Sequence, residues 1–193
     1  MLIWSGIQPK DYLTWLLETA PAMIAFVILM ATRRRFPLTG LAYGLILVFS
    51  LILMIGGHYT YAEVPLFDWI KDVFHQDRNN FDKLGHFAQG FVPAIIAREV
   101  IVRNHVVDSG KWLNFFVICI CLAISACYEL IEWGVAITGN ESAEAFLGTQ
   151  GYVWDTQSDM ACALVGAMVS LVTLNPIHDR QIGKLTARHQ TFN

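Results

Sequence analysis

Seven side chains able to do chemistry recur at the ends of hydrophobic segments: His58, Asp82, His86, Glu129, Glu132, Asp155 and Asp159. Imidazoles and carboxylates within reach of one another carry out general acid and base catalysis or relay protons. They also suit a divalent cation, with imidazole favouring zinc, iron or manganese and carboxylates favouring manganese, magnesium or calcium. Four of these residues are the catalytic candidates: His86, Glu129, Asp82 and Asp159. The candidate metal ligands are His58, His86, Glu129, Glu132, Asp155 and Asp159. The metal and the metal-free readings both stay open, because the sequence has no HExxH and no paired Glu-x-x-His motifs of a di-iron bundle.

Spacing groups these residues. Asp82 and His86 stand one helical turn apart, with Gln89 continuing their face; Glu129 and Glu132 share a face, as do Asp155 and Asp159. Glu18, in the first half of an apolar segment, is a further carboxylate able to face the same place. Acidic residues at a helix N-terminus often serve as caps, which would account for Asp82 and Asp155. Capping does not account for Glu129, near the C-terminal end of its helix, nor for His86, one turn inside its own.

The elements that position them are helices in a membrane. Hydrophobic residues make up 55% of the 193, and the mean hydropathy is +0.47, above the range of a soluble domain. An all-α, polytopic bundle follows, with spans at 12–31, 38–57, 84–104, 112–137 and 158–174, each close to the roughly 20 apolar residues a crossing needs. A sixth membrane element at 60–74 is the alternative. Arg33, Arg34 and Arg35, then Arg103 and Lys111, then Arg180, Lys184 and Arg188 belong on the cytoplasmic side. That places the N-terminus out, the C-terminus in, and all seven chemical residues at the outer ends of their spans. Charged side chains deep in a bilayer cost about 2.5–3.5 kcal/mol each, so Glu129 and Glu132 require a partner, a proton or water.

Residues 1–11 lack the basic region of a cleavable signal, so the first span reads as a retained anchor. Cys119, Cys121, Cys127 and Cys162 fall inside spans and are expected to be neutral thiols, with no disulfide and no CxxC site. One helical domain, 1–193, is expected. Gly56-Gly57 permits close approach beside His58, and Gly40-x-x-x-Gly44 is a candidate packing face. Trp4, Trp15, Trp69, Trp112, Trp133 and Trp154 lie near span boundaries, as an aromatic belt requires. Arg98 and Glu99 read as structural, pairing with other helices. Asn140-Glu141-Ser142 matches the glycosylation pattern in form only.

The runs GGHYTYAEVP (56–65), FDKLGHFAQGFVPA (81–94), YELIEW (128–133) and FLGTQGYVWDTQSDM (146–160) resemble the bacterial inner-membrane YjdF family over nearly the whole chain. More loosely, the chain is similar to VanZ-like membrane proteins. Asp82, Lys83, His86 and Phe87 match their first element, Glu129 the second, and Asp159 with Gly166 the third; Glu132 and Ala163 depart from the pattern, which has Gln and Asn there. The resemblance implies an inner-membrane protein and singles out these positions without supplying a reaction. Two classes of function remain: an acid/base or metal-assisted enzyme acting on an envelope lipid or lipid-linked precursor, beside the rings of Tyr59, Tyr61 and Trp133, and a cation- or proton-binding transport protein. A non-catalytic component of an envelope complex is a third. The expected partners are membrane lipids, not nucleic acid.

Overall fold

The computed structural model describes residues 1–107, 110–137 and 150–190, with side chains through Ala187. Among them are helices and no strand: α1 (Leu2–Ser5), α2 (Tyr12–Thr32), α3 (Gly40–Tyr59), α4 (Pro65–Val73), α5 (Phe81–Arg103), α6 (Lys111–Ala136) and α7 (Asp155–Gln190). The glycosylation pattern at 140–142 lies outside the described residues.

Local chemistry sets the starts. Asp11 caps α2 by accepting from the Thr14 amide at 2.7 Å, and Thr39 caps α3 by accepting from the Ala42 amide. Pro65 opens α4, where its missing N–H costs no hydrogen bond. Thr60, in the left-handed region at φ 57°, ends α3.

Among the described residues, four helices are both long and apolar enough to cross a membrane: α2, α3, α6 and α7. The 23-residue α5 is as long but less apolar. It runs through the middle of the bundle against α3, α6 and α7, so neighbouring helices rather than lipid cover its polar side chains. The nine residues of α4 span only about 13 Å at 1.5 Å per residue, too short for a sixth crossing. It exposes Leu66, Trp69 and Val73 on one face.

The helix that carries the last expected span, 158–174, runs on beyond it: α7 continues unbroken through Pro176 to Gln190. Hydropathy falls after 174, but His178 and Ile182 are buried and the Arg98 guanidinium pairs with Asp179 at 2.7 Å. Tertiary contacts hold a stretch that apolarity alone would have ended.

The closest packing is between α5 and α7, which run parallel: Lys83 meets Asp159, Gly90 meets Ala163, and Arg98 meets His178. A Cβ on Gly90 would collide with the Ala163 carbonyl, and one on Gly166 with the Phe87 carbonyl. These two glycines, one from each helix, let the backbones touch. Of the candidate packing face, a Cβ on Gly40 would stand 3.7 Å from the Gln181 side chain of α7, while one on Gly44 would have nothing within 4 Å. Leu113, Val117 and Cys121 of α6 close the core against Ala94, Ile101, Ala167 and Leu171. Among the described residues all four cysteines are free thiols.

A polar network ties the far end of the bundle. Glu99, fully buried, accepts from the Thr39 amide at 2.9 Å and hydroxyl at 2.7 Å, and from Arg103 at 2.8 Å. Arg98 donates to His178 Nδ1 at 3.2 Å, which leaves His178 Nε2–H to donate to Glu99 at 3.1 Å. Arg98 and Glu99 are thus structural, joining α3, α5 and α7. Trp4, Trp69, Trp112, Trp133 and Trp154 are exposed, while Trp15 donates to the Ser5 hydroxyl at 3.0 Å.

Candidate functional site

At the other end of the bundle, the first turns of α5 and α7 and the last turns of α6 bring carboxylates and an imidazole together. Lys83 stands between the two helix starts, with Nζ 2.6 Å from Oδ1 of Asp155, 2.6 Å from Oδ1 of Asp159 and 3.6 Å from Oδ2 of Asp82. Arg78, just before α5, also binds Asp155 and lies 3.5 Å from Asp82. Asp155 is therefore held by two cations at a helix N-terminus.

His86 is the hub. Its Nε2 faces Asp82 at 3.4 Å and Asp159 at 3.9 Å, and its Nδ1 faces Gln89 Oε1 at 3.1 Å and Glu129 Oε1 at 3.7 Å. A doubly protonated ring satisfies acceptors on both sides; a neutral ring needs the Gln89 amide turned so that its nitrogen faces the bare ring nitrogen. Glu129 is buried, and its Oε1 has no hydrogen-bond partner among the described residues.

The four catalytic candidates thus gather around one imidazole. The six candidate metal ligands do not all gather. His86 and Asp159, joined by Asp82, offer ligand atoms within 4.8 Å of one another, and no other such group occurs among the described residues. His58 lies apart: its Nδ1 is 3.0 Å from the Ser5 carbonyl and its ring packs on Trp4 and Tyr59. Position at a helix end suggested a shared site for it, but the N-terminal α1 folds over that end of α3 and engages the ring. Glu132 sits one turn beyond Glu129, outside ligand distance of the trio.

On the inner side of this cluster a cavity of about 280 Å³ opens between α2, α3, α5 and α6. Glu18, Asp82, His86, Glu132, Tyr61 and Tyr128 form its polar end, and residues such as Ala25, Phe49, Leu53, Val92 and Ile96 its apolar walls. The cavity exists because α2 packs chiefly on α3 and leaves a gap towards α5 and α6. Tyr128 donates to Glu18 at 2.7 Å. The Tyr61 ring fills the space that Gly56 and Gly85 leave open. Burial, with the nearby Glu18 and Asp82 charges, raises its phenol well above the ordinary value, keeping it neutral. Trp133 points away and is exposed.

Lys83, Arg78 and Tyr128 are the site members that spacing alone did not assign as ionic or hydrogen-bond partners. Arg78 and Asp82 are i,i+4 and Tyr128 adjoins Glu129, yet a cation near a span end reads first as an orientation signal.

The bundle and its buried acid and imidazole centre define a polytopic helical membrane protein with a polar site built inside one end. The chain belongs to the family described as "Predicted membrane protein (DUF2238)", whose model matches residues 1–180. It is 51% identical over 182 residues to the inner membrane protein YjdF of Escherichia coli (strain K12), covering 94% of this chain and 87% of that protein. It is a bacterial inner-membrane protein of the same family. No solved structure matches it.

Proposed function

We propose that the cluster is an acid/base centre acting on the polar head of an amphiphile, an envelope lipid or lipid-linked precursor that enters the cavity from the bilayer. One observation carries this reading: His86, Asp82, Glu18 and Glu132 line one end of a cavity whose other walls are apolar, the layout of a site that takes a molecule with a wet end and a greasy end. His86 is the proton carrier, held by Asp82 on one nitrogen and facing the unpartnered Glu129 oxygen from the other side. Lys83 and Arg78 fix the carboxylates around it.

Metal-free chemistry is favoured by Lys83. Its ammonium lies 2.6 Å from Oδ1 of Asp159, the carboxylate that a metal between Asp82, His86 and Asp159 would use, and two cations there would repel. Transport of a cation or proton is less well supported. Between the His86 cluster and the Glu99 network, the buried positions of α5 include Val92, Ala94 and Ile95, which offer a proton no relay.

The test is conversion of lipid. The purified protein, reconstituted into vesicles of inner-membrane lipid extract, is followed by mass spectrometry of the lipid fraction. A product that accumulates with the parent and not with His86→Ala supports the reading; an unchanged lipid profile with the parent overturns it.

A further inference from the structure

The cavity does not stop at the acid cluster's inner edge. A second one of about 350 Å³, lined by Ala25, Ile46 and Ile96 among others, continues towards Thr32 and Asn104. Ala25, Ile46 and Ile96 line both cavities, so the two adjoin and together make up an apolar track between α2, α3 and α5. From His86 to Val100 it follows α5 for about 21 Å at 1.5 Å per residue, the reach of an extended hexadecyl chain. Its walls past Gln89 are almost wholly apolar, including Ile28, Leu29, Phe36 and Leu38.

The head end is rich in carboxyl groups. Glu18, Asp82 and Glu132 line it, while Lys83 and Arg78 stay outside the lining, on Asp155. Asp82 is shared among His86, Arg78 and Lys83, and Glu18 has the Tyr128 hydroxyl. Glu132 is 8% exposed, lines the cavity, and has no hydrogen-bond or ion-pair partner among the described residues. A carboxylate buried this far must hold a proton or meet a cation. No cationic side chain of the described residues other than His86 lines this cavity.

The geometry points to a ligand with a cationic, amine-bearing head seated on Glu132 and Glu18 and a single long hydrocarbon chain lying in the track. This rests on the amphiphile reading of the same site and narrows its substrate class. Phosphate and carboxylate heads find no cationic side chain other than His86 there.

Isothermal titration in a neutral maltoside detergent tests it, with hexadecylamine, hexadecanol, hexadecanoate and hexadecyl phosphate as probes. Hexadecylamine is expected to bind the parent at least tenfold more tightly than the other three. Glu132→Gln should lose that preference while still binding hexadecanol as the parent does. Ala25→Trp and Ile96→Trp, which fill the junction of the two cavities, should weaken hexadecylamine at least tenfold and leave hexylamine unchanged. Equal affinity for the alcohol and the amine overturns the cationic head. Undiminished hexadecylamine binding in both correctly folded tryptophan variants overturns the track. Binding is read without turnover, so loss of this inference leaves lipid conversion by the parent standing, and failure of conversion leaves amine binding to be judged alone.

Discussion

His86 Nδ1 stands 3.7 Å from Oε1 of Glu129, a buried carboxylate oxygen with no hydrogen bond of its own among the described residues. An unsatisfied buried acceptor costs stability, and under the proposed acid/base reading that cost falls at the reacting centre.

His86→Ala and Glu129→Ala are therefore expected to lower conversion by roughly a hundred- to ten-thousand-fold, the range of a positioned acid or base, while insertion and thermal unfolding stay near those of the parent. Loss of folded protein in both, read by size-exclusion chromatography, would assign the residues to an ionic scaffold instead.

Lys83 has the opposite profile. With side-chain exposures of 18% for Lys83 and 3% for Asp159, the pair is buried, and removing one partner of such a pair costs about 3 kcal/mol or more. Lys83→Met is expected to unfold at a lower temperature, and Lys83→Met with Asp159→Asn to recover much of the loss. Zinc or manganese should raise the unfolding temperature of Lys83→Met more than that of the parent, because the ammonium no longer competes for Asp159. Equal shifts would mean that Lys83 and a metal do not share this position.

The α5–α7 crossing predicts a contrast between glycines. Gly90→Ala drives a methyl into the Ala163 carbonyl, an overpacking that backbone cannot absorb cheaply, at about 1–3 kcal/mol or more. Gly44→Ala meets nothing within 4 Å and should leave thermal stability unchanged or slightly raised. Equal tolerance at both positions would contradict the close approach.

Orientation is open to a direct test. The arginines and lysines at 33–35, 103, 111, 180 and 184 lie at the end opposite the acid cluster, so alkaline phosphatase fused to the C-terminus should be inactive. The same enzyme inserted after Gln76, in the connection between α4 and α5, should be active. The reverse pattern would put the cluster on the cytoplasmic side.

The helices were legible because the periods and lengths that lipid demands are written locally: the edges of α2, α3, α5 and α6 fall within three residues of the spans read from hydropathy and charge. So were the pairs on one helix, since Asp82 with His86 and Glu129 with Glu132 need only helical spacing to share a face. What no local pattern could decide is which residue from another helix stands opposite. His58 meets the Ser5 carbonyl and not His86, because α1 folds back over α3. Lys83 becomes the counter-ion of Asp155 and Asp159, some seventy residues away, because Gly90 and Gly166 let α5 and α7 close to backbone contact. α7 outlasts its apolar stretch because His178 finds Glu99. The sequence by itself determined the membrane class, the helices and the chemical side chains each carries, because those depend on one segment and its solvent. Only the tertiary structure decided which carboxylates are neutralised by cations and which are left facing a cavity, because charge balance depends on distances between helices far apart in the chain.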